Sequence, residues 1–297
     1  MKRVFLLVAT NLLIMVMLSV VLAVLQSVFG VSLGGWPGYL AWASVFGFGG
    51  AFVSLWLSKW VAMMSTGGTI IPELTRVPRE VEILATVRKH ADLLKIRMPE
   101  VAIYPAGDVN AFATGPTKNR SLVALSEGLL SQLTKEERDA VIGHEMAHVA
   151  NGDMVTMTLI QGVLNTFVLL LSRVAGMALG GALGGDRSGS AGSQIGFVVG
   201  SIAGQLLFGL LASVVVCWFS RKREFRADQG GASLTSRAQM VSALQAIDRS
   251  HSASSLPASI QAFGIRSDKI KGLFMTHPPI EDRIRALSMP RLGEARG

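Results

Sequence analysis

Apolar residues dominate the first sixty positions and form two runs, 4–29 and 40–57, which contain no charged residue. A turn-rich piece, Gly30–Gly38, separates them. A helix that crosses a bilayer needs about 20 apolar residues, so this pattern predicts a membrane-spanning hairpin. The basic start, Lys2 and Arg3, also fits a cleaved signal peptide, but such a peptide has an apolar stretch of only about 7–15 residues and a small-residue cleavage site.

A second apolar pair predicts spans over about 154–178 and 195–219, joined by the glycine-rich piece Gly176–Gly192. Because Arg173 interrupts the third run, Met154–Ser172 is alternatively a buried core helix. Small residues recur every four positions in the fourth run, at Gly196, Gly200 and Gly204. Glycines at this spacing let membrane helices approach closely, and we interpret them as packing within this chain.

Composition agrees with a membrane protein. Only 16% of the 297 residues are charged and half are hydrophobic, whereas soluble domains carry about 25% charged residues. The mean hydropathy is +0.45 and the pI near 10.1. A single cysteine excludes an internal disulfide and a multi-cysteine metal site. The net charge of +8 is typical of basic cytoplasmic loops rather than of nucleic-acid binding.

Basic residues flank the spans unevenly. Lys59 follows the second run and Arg221–Arg223 follow the fourth, whereas the turns within the two hairpins hold few or none. The positive-inside rule then puts both termini and both polar segments in the cytoplasm. The predicted organisation is a hairpin at 1–58, a polar segment at 59–153, a hairpin at 154–220 and a polar segment at 221–297.

The polar segments predict a mixture of helices and short strands, so the expected class is a mainly α (α+β) membrane protein with four spans and a small sheet. Thr134 and Glu137 form a capping box that begins a helix running to about Ala150. Further helices are expected at 78–96, 126–133, 224–232, 236–247 and 280–287. Strands are expected at 101–104, 111–114 and 122–125.

The capped helix contains the pattern His144-Glu145-Met-Ala-His148. Side chains four residues apart share one helical face, so the two imidazoles can bind one tetrahedral metal ion. Glu145 lies next to this face and is close enough to act as a general base toward water. A pair of ordinary helical histidines is the alternative.

A catalytic zinc site needs a third protein ligand, and the candidates are His90, His251, His277 and the acids. We favour Glu224, because two membrane crossings after His148 return the chain to the same face of the bilayer. Asp228 lies four residues later and can hydrogen-bond the far nitrogen of a ligand imidazole, such as that of His144. The alternative for Glu224 and Asp228 is a salt-bridged helix face beside neighbouring arginines.

Four motifs together resemble the HtpX family of membrane zinc endopeptidases, which is related to the prenyl-protein CAAX endopeptidases. They are HEMAHVANGD, EFRAD, NAFATG (Asn110–Gly115) and THPP (Thr276–Pro279). The resemblance implies a gluzincin-type domain with one zinc ion per chain, held by His144, His148 and Glu224, with Glu145 as catalytic base. It also implies a bacterial inner-membrane enzyme, with its active site in the cytoplasm, that cleaves misfolded or damaged membrane proteins as part of quality control and the stress response.

Further roles follow from this resemblance. Asn110, Ala111 and Phe112 are expected to form an edge strand that pairs with an extended substrate, although without the resemblance Asn110 before a strand is more typical of a turn. His277 is a candidate for stabilising the oxyanion, or else a loop histidine before proline. His90 and His251 are expected at the surface, and Asp153 either supports the site or is merely interfacial.

The sequence is compatible with three other functions. A transporter with a metal-binding regulatory domain is disfavoured because ion pathways usually carry more intramembrane charge. A catalytically inactive adaptor for unfolded chains would keep the same fold. A nucleic-acid binder has no supporting motif. Metals other than zinc can also occupy a site of this type.

Overall fold

The computed structural model describes residue 27 and the ranges 35–184, 190–253 and 276–289. The chain divides into two compact units. The helical unit comprises Met1–Ser54 and Thr156–Val216, and the sheet unit comprises Leu55–Val155 and Cys217–Gly297. The span predicted at 4–29 lies outside the described residues, as do Lys2 and Arg3.

Three of the described helices are long and apolar enough to cross a membrane: α1 (Gly35–Thr66), α5 (Asp153–Gly184) and α6 (Ala191–Leu234). The spans predicted from the sequence fall inside them. Large apolar side chains of α5, such as Phe167 and Leu171, are exposed. This exposure argues against a buried core helix at Met154–Ser172 and suits a helix surrounded by lipid.

Within the helical unit, α5 and α6 pack through glycines. A Cβ atom added at Gly196, Gly200 or Gly204 would lie 2.7, 2.6 and 2.9 Å, respectively, from atoms of α5. Real side chains do not tolerate such distances, so these positions need glycine. The repeat therefore serves packing within the chain, as the sequence indicated.

The helix of the fourth apolar run continues beyond that run without a break. Helix α6 is 44 residues long in all and extends through the segment 224–232 to Leu234. No proline interrupts it and its last turns pack closely: a Cβ atom at Gly231 would lie 2.9 Å from the backbone nitrogen of His144. The helix predicted over 224–232 is confirmed as the last part of α6, where tertiary packing at Gly231 accommodates the glycines that weaken a helix in isolation.

The described residues of the sheet unit form four strands and five further helices. The strands are β1 (Thr69–Ile70), β2 (Glu100–Tyr104), β3 (Ala111–Thr117) and β4 (Arg120–Ser126). The helices are α2 (Pro78–Leu94), α3 (Glu127–Gln132), α4 (Lys135–Asn151), α7 (Arg237–Ala253) and α8 (Ile280–Ser288). The sheet has the order β1-β2-β4-β3, with β2 parallel to β4 and the other pairs antiparallel. The sequence indicated β2, β3 and β4 but not β1, which is too short to show an alternating pattern.

Helix α4 lies in the core of the sheet unit and begins and ends as predicted. The Thr134 hydroxyl and the Glu137 carboxylate form both bonds of the capping box. Gly152, at φ 67°, ends the helix in the left-handed conformation that glycine favours. Helix α4 packs against α2, α7 and β3, so its position is fixed from several sides.

His90 is not a surface residue. Only 1% of it is exposed, because it follows Val87 by three residues and therefore shares the buried face of α2. Burial lowers the pKa of His90 and so favours a neutral ring. For His251, the other histidine expected at the surface, the side chain lies outside the described part of the structure.

Candidate metal centre

The two histidines of α4 face each other across one turn of helix. Their Nε2 atoms are 3.2 Å apart, and the rings meet edge to face with centroids 4.7 Å apart. The cap at Thr134 fixes the start of the helix, and the spacing of four residues puts His144 and His148 on one side of it. Both rings thus direct a nitrogen toward the same point.

The third side chain comes from α6. The two carboxylate oxygens of Glu224 lie 3.5 Å from Nε2 of His144 and 3.4 Å from Nε2 of His148. Only 1% of Glu224 is exposed. The structure therefore brings together the two imidazoles and the distant acid, 76 residues apart in sequence from His148.

The size of this triangle fits a tetrahedral metal ion. Bonds of about 2.0–2.1 Å to nitrogen and oxygen place neighbouring ligand atoms about 3.3 Å apart. The observed separations are 3.2, 3.4 and 3.5 Å. In the described residues, His144, His148 and Glu224 form the group of side chains that can hold a metal, and their nitrogen and oxygen donors suit zinc among other divalent ions.

Each imidazole is supported at its far nitrogen by a buried carboxylate. Nδ1 of His144 lies 3.0 Å from Oδ1 of Asp228, and Nδ1 of His148 lies 2.6 Å from Oδ2 of Asp153. A proton on Nδ1 that is shared with a carboxylate leaves the lone pair of Nε2 free for a metal. The structure thus places Asp228 where the sequence suggested, and it puts Asp153 against a metal-ligand candidate rather than merely at the interface.

Asp228 is itself held by a residue that the sequence analysis missed. The guanidinium of Arg283, on α8, donates two hydrogen bonds to it, from Nε at 2.8 Å and from Nη2 at 2.6 Å. Arg283 is 8% exposed. The signal was present, because Arg283 lies on the apolar face of α8 with Leu287, and a buried arginine at such a position requires an acidic partner.

The centre is strongly acidic. Four carboxylates, those of Glu145, Asp153, Glu224 and Asp228, are at most 9% exposed and are accompanied by one buried guanidinium. Burial alone would lower the pKa of His144, but its contacts with Asp228 and Glu224 outweigh burial and raise it to about 9. The pKa of His148 is raised in the same way by Asp153 and Glu224. When no metal is bound, the negative charge of the site therefore favours protonation of the two histidines. The same negative charge attracts a divalent cation.

The remaining predicted residues lie on α4, before α8 and at the start of β3. Glu145 follows His144 on α4, and in the described part of the chain its side chain makes no hydrogen bond. His277 is exposed, and its Nδ1 lies 2.8 Å from Oε2 of Glu224. Asn110 precedes the edge strand β3; its backbone N–H donates to the Ser126 hydroxyl, and its carbonyl accepts from the Ser126 N–H.

The edge strand packs against the metal-binding helix. β3 carries Ala111 and Phe112 and is the outermost strand on its side of the sheet, and it contacts α4. The ring of Phe112 contacts the ring of Tyr104 on β2, and their centroids are 5.6 Å apart. An extended chain that pairs with this edge would run beside α4.

Removing the charge of Asp153 is expected to weaken metal binding without unfolding the protein. In Asp153→Asn the amide can present its NH₂ group to Nδ1 of His148 and favour the wrong tautomer. Loss of such a supporting carboxylate typically costs about 10–100-fold in metal affinity. The measurement is a zinc titration in competition with a chromophoric chelator.

Glu136→Gln provides the matched control, because Glu136 is an exposed acid in the first turn of α4. Its zinc affinity should equal that of the unchanged protein. Equal affinities for all three proteins would show that the 2.6 Å contact does not support His148.

The chain is similar to known proteins over most of its length. A family model described as "Peptidase family M48" matches residues 78–291. The chain is 49% identical over 289 residues to "Protease HtpX" of Stenotrophomonas maltophilia strain R551-3, which covers 96% of this chain and 97% of the relative. It is 50% identical to "Protease HtpX" of Tolumonas auensis, with coverage of 97% and 99%.

A solved structure has a similar fold. The crystal structure of Ste24p from S. mikatae matches with a TM-score of 0.62 at 15% sequence identity. The match covers 97% of this chain and 66% of that protein. At this identity the likeness concerns the fold.

Proposed function

The chain belongs to peptidase family M48 and is a membrane metalloprotease, and on that premise we propose that it uses zinc to cleave misfolded or damaged membrane proteins at the cytoplasmic face of the bacterial inner membrane. One observation carries the proposal: two imidazoles and a buried carboxylate converge at tetrahedral spacing, beside a free glutamate on the same helix. We assign His144, His148 and Glu224 as ligands of one zinc ion.

The chemistry divides between the metal and the side chains. When bound, zinc supplies Lewis acidity, which makes water nucleophilic near neutral pH and polarises the peptide carbonyl. Glu145 accepts a proton from the attacking water as the new C–O bond forms. It then delivers that proton to the nitrogen of the leaving amine as the C–N bond breaks, so the products are a carboxylic acid and an amine. Nδ1 of His277 lies 2.8 Å from Glu224, so Nε2 can donate to the developing oxyanion when the ring carries both protons, as an imidazolium.

The edge strand supports a substrate in extended conformation. Backbone groups of Ala111 and Phe112 can pair with a peptide, which gives affinity with little sequence preference. Asn110, at the start of this edge, can hold a carbonyl or amide of the substrate through its side chain. An unfolded segment presents such groups, whereas a folded domain uses them internally.

Features of the helices support the proposed orientation and the assignment of 59–153 and 221–297 to one catalytic domain. The apolar stretch of α6 ends near Trp218, and the ammonium of Lys222 lies 4.1 Å above the Trp218 ring. Tryptophan followed by basic residues is typical of the cytoplasmic boundary of a span. The sheet unit, Leu55–Val155 and Cys217–Gly297, has nearly the same bounds as the two proposed catalytic segments.

Zinc removal and replacement test the proposal. The purified full chain in detergent is offered casein, a destabilised membrane protein and the folded parent of that protein. We expect a chelator to abolish cleavage, zinc to restore it, and magnesium to fail, because Mg²⁺ prefers octahedral oxygen ligands. Casein and the destabilised protein should be cut faster than the folded parent.

Each outcome has a separate meaning. Zinc-loaded protein that cleaves nothing but retains unfolded chains would make it an adaptor. Equal cleavage of the folded and destabilised membrane proteins would contradict the proposed substrate class but not the protease activity.

A further inference from the structure

Arg173 is the one charged residue among the described residues of the helical unit. The described residues of that unit, 35–54, 156–184 and 190–216, contain no acidic residue and no other basic one. Arg173 lies within the apolar helix α5. Charged side chains in membrane segments are costly and usually serve a purpose, and the proposed proteolysis makes no use of this one.

Aromatic rings hold the guanidinium, but no acceptor satisfies it. The Cζ atom of Arg173 lies 4.0 Å from the centre of the Tyr39 ring, on α1, and 5.2 Å from that of Phe197, on α6. Its Nε is buried without a hydrogen-bond partner. In the described part of the chain its donors have neither a hydrogen bond nor an ion pair. Cation–π contacts fix the group, yet they leave the N–H donors of the guanidinium without an acceptor.

The position of this cluster along each helix corresponds to a membrane boundary. Arg173 follows Asp153, the first residue of α5, by 20 residues, and Tyr39 precedes Lys59 on α1 by 20 residues. Twenty residues of helix extend about 30 Å, which is the thickness of the hydrocarbon core of a bilayer. Asp153 and Lys59 are polar, so on both helices the cluster lies one hydrocarbon thickness from a polar residue.

The same spacing holds on the third helix. Phe197 precedes Trp218 on α6 by 21 residues, and tryptophan is typical of membrane–water boundaries. Tyrosine is enriched there as well, which agrees with Tyr39 at the other end. The spacing along all three helices therefore puts the cluster near a boundary of the hydrocarbon core, where lipid phosphate groups are found.

We propose that Arg173, held between Tyr39 and Phe197, binds the phosphate of a phospholipid. A guanidinium can donate two parallel hydrogen bonds to phosphate oxygens, which would satisfy donors that no described residue satisfies. The lipid phosphate also supplies a negative charge, which the described residues of the helical unit do not contain. Binding would hold α1, α5 and α6 together at this end and fix their depth in the membrane.

Native mass spectrometry of the full chain, titrated with phosphatidylglycerol in detergent, tests this site. We expect Arg173→Gln to weaken retention of one lipid by at least about tenfold, as for loss of a charge-assisted hydrogen bond. Arg173→Lys keeps the charge but not the planar guanidinium, so its lipid retention should lie between that of the unchanged protein and that of Arg173→Gln. Arg285→Gln, which removes an exposed arginine of α8, is the matched control and should bind lipid normally. Should Arg173→Gln not fold, Tyr39→Leu is expected to reduce retention in the same direction.

Several results would overturn the proposal. Unchanged lipid retention in Arg173→Gln is the most direct. Displacement of the lipid by inorganic phosphate at similar concentration would indicate a site for free phosphate. An Asp186→Asn protein that loses the lipid to the same extent would mean that Asp186, which lies between α5 and α6 in the sequence, rather than Arg173 alone, governs the effect.

Discussion

Glu145→Gln is expected to bind zinc as tightly as the unchanged protein and to lose peptide hydrolysis by about 10²–10⁴-fold, the usual contribution of a general acid–base group. The reason is geometric. Glu145 does not belong to the group whose donor atoms converge at tetrahedral spacing, so the metal should not depend on it. Glutamine has the same size and retains hydrogen bonding, but it cannot accept and return a proton. The measurements are zinc content and initial cleavage rate on the same preparation.

The matched control is Glu136→Gln, an identical change at an exposed position of the same helix. It should retain both zinc and full activity. If Glu145→Gln cleaved at the normal rate, the base would have to be another group. If it lost zinc, Glu145 would have to be assigned as a ligand instead.

Local signals account for the parts of this structure that the sequence predicted well. The capping box at Thr134 and the glycine at 152 fix both ends of α4, and each acts within four residues of its partner. The histidine pair depends only on helical spacing. Such features can be read directly because chain neighbours determine them.

Glu224 was predicted by a different route. Its distance from His148 in sequence gave no local signal, but two crossings of a membrane must return the chain to the starting face. This topological constraint is strong because helices that span a bilayer cannot end inside it. It placed the acid near the histidines, and the resemblance to a known family then specified it.

The features that were missed depend on contacts between distant segments. The pairing of Arg283 with Asp228 joins α8 to α6, and β1 exists because Thr69 and Ile70 pair with Ile103 and Ala102. His90 is buried because α2 packs on α4. Neither a two-residue strand nor a single polar residue on an apolar face has a periodicity that a single sequence reveals.

Glu224→Ala is expected to remove both zinc and activity, and it is the change that separates the ligand set most clearly from the catalytic base. Glu224 faces both Nε2 atoms at 3.4–3.5 Å and is the acid that closes the triangle. Two imidazoles alone leave a tetrahedral site one protein ligand short. We therefore expect zinc affinity to fall by more than the roughly 10–100-fold expected for a supporting carboxylate such as Asp153. Zinc content after dialysis and a competition titration provide the measurement.

The metal-free proteins show whether the change acts through the metal or through folding. Glu224 is buried and contacts His277 and Arg283 as well as the two ligand histidines, so its loss also removes a buried charge from cationic partners. Glu224→Gln keeps the shape of the side chain and should likewise lose zinc. Its thermal unfolding temperature without metal should lie closer to that of the unchanged protein than the value for Glu224→Ala does. Glu281→Ala, at an exposed glutamate of α8, should alter neither. Retention of one zinc ion by Glu224→Ala would mean that another side chain completes the site, and His277, 2.8 Å from the missing carboxylate, would be the first to replace by alanine.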